Sequence, residues 1–169
     1  KIGYGRVAVH IPDRYNDKYG LCEVAIRRFA TEEVKVLVSV DCGITDVYET
    51  QVAQSLGIDV IITDHHLPHS ELPPALAVIN NKRADDTYPF KYLCGAGTAY
   101  KLVQALTRSG KFARAEGIEG EVLDLATIST IADMVPLVGE NRALVHAGLG
   151  AIARNTRPGL AAILRIARA

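Results

Sequence analysis

Net charge is missing from this sequence: nineteen Lys and Arg residues offset nineteen Asp and Glu residues among 169. Neutrality gives no overall steering toward nucleic acid, so any basic surface has to be local. Cysteine is scarce. Cys22, Cys42 and Cys94 are odd in number and lack paired spacing, which argues against a disulfide framework and suits reduced thiols in a cytoplasmic protein. No apolar run approaches the ~20 residues needed to cross a membrane. No signal peptide, internal repeat or low-complexity segment is read either. Apolar character, in contrast, is plentiful. At 49% hydrophobic content, one globular domain of this length buries about 70% of its unfolded surface, which sets the chain apart from disordered sequences.

The chemistry gathers at the ends of two apolar runs. Val60-Ile61-Ile62-Thr63 leads into Asp64-His65-His66, and Val36-Leu37-Val38-Ser39-Val40 leads into Asp41-Cys42-Gly43. Near-continuous β-branched runs suit strands covered on both faces, and Asp46 to Leu56, with Val52, Ala53 and Leu56 on one side and Gly57 as its end, suits a helix. This is a βαβ unit. Its parallel strands and right-handed crossover open both carboxyl ends into one crevice, so Asp41 and Asp64 are expected to be neighbours.

Around this unit, Arg6-Val7-Ala8-Val9-His10 reads as a strand, with Lys1 to Val9 already a strand in progress, as if the chain began inside a larger protein. Ile11 to Gly20 reads as a polar loop before a helix from Leu21 to Ala30. Pro68, Pro73 and Pro74 exclude a central strand or helix interior, and Ala77-Val78-Ile79 reads as a further strand. Beyond Leu93 the pattern becomes helical. Ala96, Ala99, Tyr100, Val103 and Leu106 share a helix face that Gly110 ends, Val122 to Ala132 is apolar on nearly all sides and is placed in the interior, and Asn141 to Arg154 and Leu160 to Ala167 read as covering helices. The expected organisation is an α/β part with a parallel sheet over residues 1–93 and a helical continuation of the same core over residues 94–169.

Each candidate has a plainer reading. Aspartates after strands are common turn formers, vicinal histidines are usually solvated, and a glycine pair such as Gly95 and Gly97 more often marks a helix entry than a phosphate cradle. Arg14 and Arg142 are, without context, solvated or paired surface groups. Tyr15 and Tyr19 pack in loops as often as they stack on bases. Cys42, with no specified thiolate-activating partner, reads as a packing residue.

Taken together, Val40-Asp41-Cys42-Gly43, Asp64-His65-His66, Cys94-Gly95-Ala96-Gly97 and Ile131-Ala132-Asp133-Met134-Val135-Pro136-Leu137 with Glu140-Asn141-Arg142 resemble the ordered motifs of the DHH phosphoesterase superfamily. Ile11-Pro12-Asp13-Arg14 and Tyr19-Gly20-Leu21 resemble its branch of single-strand-specific DNA exonucleases. Asn81 stands where that pattern has proline. The family's first, aspartate-rich motif and its carboxy-terminal DHHA1-type domain have no counterpart in the sequence, so a piece of the enzyme is expected.

The resemblance implies metal-dependent 5′-to-3′ hydrolysis of single-stranded DNA in recombination and repair, with two Mn²⁺ or Mg²⁺ ions in the complete enzyme. Single-strand-binding protein and a helicase are the implied partners. By analogy Asp41 bridges the ions, His65 and Asp133 complete one site, and His66 meets the phosphate or protonates the leaving oxygen. Asp64 orients the imidazoles, Gly95 and Gly97 allow close phosphate approach, and Arg14 and Arg142 contact the DNA backbone. With half the ligands absent, weak metal binding and little or no activity are expected of the segment alone. Two other functions fit the same motifs: a non-catalytic DNA-binding or replication-scaffold relative, and a phosphodiesterase acting on short oligonucleotides, cyclic dinucleotides or pyrophosphate.

Overall fold

Two five-residue strands and the helix between them set the frame of the molecule. The computed structural model describes residues 6–112, 117–154 and 157–167. Along the chain run α1 (Glu23–Thr31), β1 (Val36–Val40), α2 (Val47–Ser55), β2 (Asp59–Thr63), β3 (Ala77–Ile79), α3 (Gly95–Arg108), α4 (Ile118–Ala132), α5 (Gly139–Arg154) and α6 (Pro158–Ala167). The strands form one parallel sheet in the order β1-β2-β3, with Val40 opposite Thr63 and Thr63 opposite Ile79. This register places the residues after β1 and β2 side by side, as the βαβ argument requires. It is an α/β fold.

The core lies on one face of that sheet. Leu37, Val60 and Ile62 pack with Ile26 and Phe29 of α1 and Val52 and Ala53 of α2, and each of the larger apolar side chains contributes roughly 2 kcal/mol by leaving water. Gly57, with φ of +73°, supplies the left-handed turn that closes α2 and returns the chain to β2. Coverage on both faces holds less well than the sequence suggests. β1 alternates, with Leu37 and Ser39 buried but Val36, Val38 and Val40 about half exposed. Being at the sheet edge, it receives less cover than the central β2, where Val60 and Ile62 are wholly buried.

A layer of helices follows, with α3 packed on α4, α4 packed on α5, and α3 also reaching β1 and β2. The sequence reading of α4 as apolar all round is corrected here. Its buried residues are Ile118, Asp124, Ala126, Thr127 and Thr130, whereas Leu125 and Ile131 are exposed. Burial of the threonines is tolerated because Thr127 Oγ1 donates to Leu123 O and Thr130 Oγ1 to Ala126 O, both at 2.7 Å. Asp124 is likewise paired, with Arg157 Nε at 2.7 Å.

The expected strand at Arg6–His10 is also corrected. These residues form no strand, and Val7 and Val9 are exposed, because the chain here does not join the sheet that would supply ladder partners. Lys1 to Gly5 lie outside the described residues. Among the described residues, no helix is long and apolar enough to cross a membrane.

Candidate metal centre

Asp41 and Asp64 occupy adjacent positions at the sheet's carboxyl edge but are put to opposite uses. Asp41 extends the β1–β2 ladder by one bond, its N–H donating to Thr63 O at 2.9 Å. Its φ of 65° then turns the chain through the left-handed region, which Asp tolerates better than most residues. The Asp41 carboxyl group lies against Gly95, where an added Cβ would overlap it. Asp64 points inward and is only 1% exposed. Oδ2 accepts from Ile44 N at 3.0 Å, and Oδ1 from His65 N at 2.7 Å and His66 N at 3.2 Å.

That carboxylate also orients an imidazole. His66 Nδ1 lies 2.7 Å from Asp64 Oδ1, and because a carboxylate only accepts, Nδ1 is the donor. The other imidazole is buried among acids. His65 Nε2 stands 3.1 Å from Asp41 Oδ1 and 3.6 Å from Asp133 Oδ2, yet neither ring nitrogen makes an aligned hydrogen bond. Asp41 first, with Asp133 assisting, raises the His65 pKa above its ordinary value against burial and Lys82, which lower it.

A buried imidazole facing two carboxylates without an aligned bond fits a cation, since hard oxygen donors with imidazole suit Mn²⁺ or Mg²⁺ better than zinc. Asp41, His65 and His66 offer ligand atoms all within 4.8 Å of one another. His66, read from sequence as a phosphate contact, thus stands in the same cluster as the ligand candidates. Asp133 reaches the cluster from the carboxyl end of α4, where it is the capping residue and Met134 reverses the chain at φ of 54°.

Several residues that position the cluster were given no such role in the sequence. Tyr19 Oη donates to Asp41 O at 2.7 Å, and its ring meets that of His66 edge-on. The Tyr19 loop is anchored by Asp46, whose Oδ2 accepts Leu21 N at 2.6 Å, and by the Lys18–Glu49 pair at 3.1 Å. Asn141 is wholly buried and donates to Tyr92 O at 2.7 Å and Pro136 O at 3.0 Å, fastening the segments before α3 and after Asp133 to α5. The signals lay in Tyr19-Gly20-Leu21 and Glu140-Asn141-Arg142, but what each side chain touches is set by tertiary approach. Burial, then Asp64, pushes the Cys42 thiol up to about 11, consistent with packing rather than nucleophilic chemistry.

The remaining candidates stand apart from this cluster. Gly97 begins α3 with Gly95, and its N–H donates to Cys94 Sγ at 3.2 Å. Arg14 is exposed in a turn closed by Asp13, whose Oδ1 accepts Tyr15 N and Asn16 N at 2.9 Å. Arg142 is exposed in the first turn of α5. Among the described residues, neither arginine makes a hydrogen bond or ion pair with the cluster.

Fold and site together define an α/β protein with a carboxylate–imidazole cluster at the carboxyl edge of a parallel sheet. The chain belongs to the DHH family, residues 2–130 matching "DHH family, N-terminal domain". It is similar to the single-stranded-DNA-specific exonuclease RecJ of Bacillus subtilis, with 43% identity over 161 residues, 95% of this chain and 20% of the relative. To the Escherichia coli RecJ it is 37% identical over 177 residues, covering 98% of this chain and 30% of the relative. A crystal structure of exonuclease RecJ bound to manganese superposes with a TM-score of 0.78 at 35% identity, over 93% of this chain and 39% of that one. RecJ from Thermus thermophilus in complex with Mn²⁺ gives 0.71 at 34% identity, over 86% and 21%. The chain therefore spans less than a third of the length of these curated relatives.

Proposed function

We propose that this chain carries part of the catalytic core of a metal-dependent exonuclease that hydrolyses single-stranded DNA from 5′ to 3′ in recombination and repair. The observation that carries the reading is His65, 6% exposed, its Nε2 facing Asp41 and Asp133 with no aligned hydrogen bond. A scaffold without catalysis has no need of like charges gathered around a buried imidazole. Residues 1–93 and 94–169 act as two parts of one core, since Asp133 completes a cluster begun by Asp41 and His65.

Asp41, His65 and Asp133 hold a divalent ion, Mn²⁺ or Mg²⁺, one of two in the complete enzyme. When bound, such ions supply Lewis acidity for attack on an anionic phosphodiester. The chain's own groups do the positioning. Asp64 accepts from His66 Nδ1, so Nε2, when it carries a proton, is the atom that would donate to the phosphate or to the leaving oxygen. Tyr19 holds the Asp41 backbone, and Gly95 leaves room for its carboxyl group. Arg14 and Arg142 contact the strand further from the centre. The enzyme works in the cytoplasm beside single-strand-binding protein and a helicase.

The test is release of nucleotides from 5′-labelled single-stranded and duplex DNA with Mn²⁺, by the 169-residue chain and by a polypeptide extended at both ends to the relatives' length. Activity on single strands in the extended form, lost in Asp41→Ala and weak or absent in the short chain, supports the reading. Binding of metal and DNA by both forms without hydrolysis favours a scaffold, and turnover only of dinucleotides or pyrophosphate favours a small-substrate phosphodiesterase.

A further inference from the structure

A lysine whose backbone is tethered to that of His66 has no acid to neutralise it among the described residues. After β3 the chain turns through Asn80-Asn81-Lys82-Arg83, and Asn80 ties this turn to the centre. Asn80 is 1% exposed. Its Nδ2 donates to the His66 carbonyl and its Oδ1 accepts the Lys82 N–H, both at 2.8 Å. One buried side chain therefore holds the backbone of His66 and the backbone that carries Lys82 in a common frame. The strand before the turn is fixed as well, since Asp64 N donates to Ile79 O at 3.0 Å.

Other cations of the same segment are spoken for. Arg83 pairs with Asp85 at 2.5 Å and also donates to Val78 O, and Lys91 pairs with Asp86 at 3.2 Å. Lys82 Nζ has no hydrogen bond and no ion pair among the described residues, although its side chain is only partly exposed. Unpaired lysines are ordinary where they wave in solvent. Lys82 differs in that its backbone hangs on a buried side chain that also holds the His66 carbonyl.

We infer that Lys82 is a phosphate-binding residue, its ammonium receiving a backbone phosphate of the single strand held at the metal centre. An ammonium is a compact charge with three donors, suited to a phosphate oxygen at a fixed distance from the reacting one. This inference deepens the nuclease reading and rests on it. Asn80 is then a positioning residue, acting through the two backbones that it joins.

The experiment is equilibrium binding of a 5′-phosphorylated, fluorescent single-stranded oligonucleotide to the whole chain across a salt series, with Ca²⁺ in place of Mn²⁺ to suppress turnover. Mn²⁺ binding is measured separately by calorimetry. Lys82→Gln is expected to weaken DNA binding about 5-fold or more at low salt and to reduce the slope of log K against log salt by about 0.7, the share of one single-strand phosphate. Lys82→Arg keeps both, and neither substitution reduces Mn²⁺ affinity. An unchanged affinity and slope in Lys82→Gln, with the wild type binding DNA, overturns the role of Lys82 alone. So does a parallel loss of Mn²⁺ affinity, which would mean that the turn only supports the centre. Should the 169-residue chain not bind the oligonucleotide, the same series is run on the form extended at both ends, and failure of that form to bind would overturn the nuclease reading and this inference with it.

Discussion

Asp41 can take its position only because residue 95 has no side chain: a Cβ there would overlap the Asp41 carboxyl group. Gly95→Ala is thus expected to push the carboxylate off His65 while leaving the helix itself intact, since Ala is a better helix former than Gly. Mn²⁺ affinity should fall by about 10-fold or more, the scale seen when the surroundings of a metal ligand are disturbed, with the circular dichroism spectrum unchanged. Calorimetric titration measures the first and far-ultraviolet dichroism the second. Asp64 calls for the opposite result. Its buried carboxylate receives three backbone N–H groups and one imidazole N–H, and Asp64→Ala leaves those donors without a partner in a dry site. A loss of about 3 kcal/mol is expected, seen as a fall in melting temperature of roughly 9 °C for a domain of this size. A drop in metal affinity with full thermal stability would show that Asp64 has no such structural part.

Elements meet in this protein by close approach of small residues as much as by apolar faces. Gly148 of α5 backs onto Thr127 of α4, and an added Cβ would overlap the Thr127 hydroxyl. Gly148→Ala is expected to part the two helices and cost about 2 kcal/mol, as overpacking of a filled interior does. Adding Thr127→Ala, which removes the overlapping hydroxyl, should recover part of that loss in a thermal melt, and simple additivity would refute the coupling. None of this was legible in the sequence, where Gly148 lies in a covering helix and Thr127 in a segment read as apolar. The neighbourhood of Asp41 and Asp64 was legible, because a parallel βαβ unit leaves little choice of register or hand. Asp133 was placed at the centre only by the family's motif order, since its approach depends on how α4 returns toward the sheet. The same limit applies at Tyr19, Asn80 and Asn141: their residue types announce hydrogen bonding, but their acceptors are backbone carbonyls far along the chain. The misread strand at Arg6–His10 has a related cause. Alternating Val7 and Val9 satisfy a strand pattern, but a strand also needs an edge to pair with.

At the scale of the whole molecule, a cation held at the proposed centre would compete with a proton on His65, and the competition would set the sign of the pH dependence. Asp41 raises the His65 pKa in the folded chain above its ordinary value of 6.5. Without metal, the stabilisation from this charged contact is fully present below the unfolded value and is lost as pH rises through the folded one. A divalent ion requires the neutral ring, so its contribution grows over the same interval. As pH rises from below the ordinary imidazole value of 6.5 through the raised value of the folded chain, the ion-free protein should lose melting temperature while the increment from added Mn²⁺ increases. At 100 times the dissociation constant that increment is about 2.7 kcal/mol, or roughly 8 °C for a chain of this length. His65→Gln removes the titrating group and should flatten both trends attributable to it, so the comparison with wild type isolates this residue from the other histidines. Equal pH slopes in the two proteins, with and without Mn²⁺, would mean that proton and ion do not share His65, and the carboxylates around it would then need another explanation. A wild-type increment that rises with pH and vanishes in His65→Gln ties the stability of the whole fold to occupancy of one imidazole at the edge of its sheet.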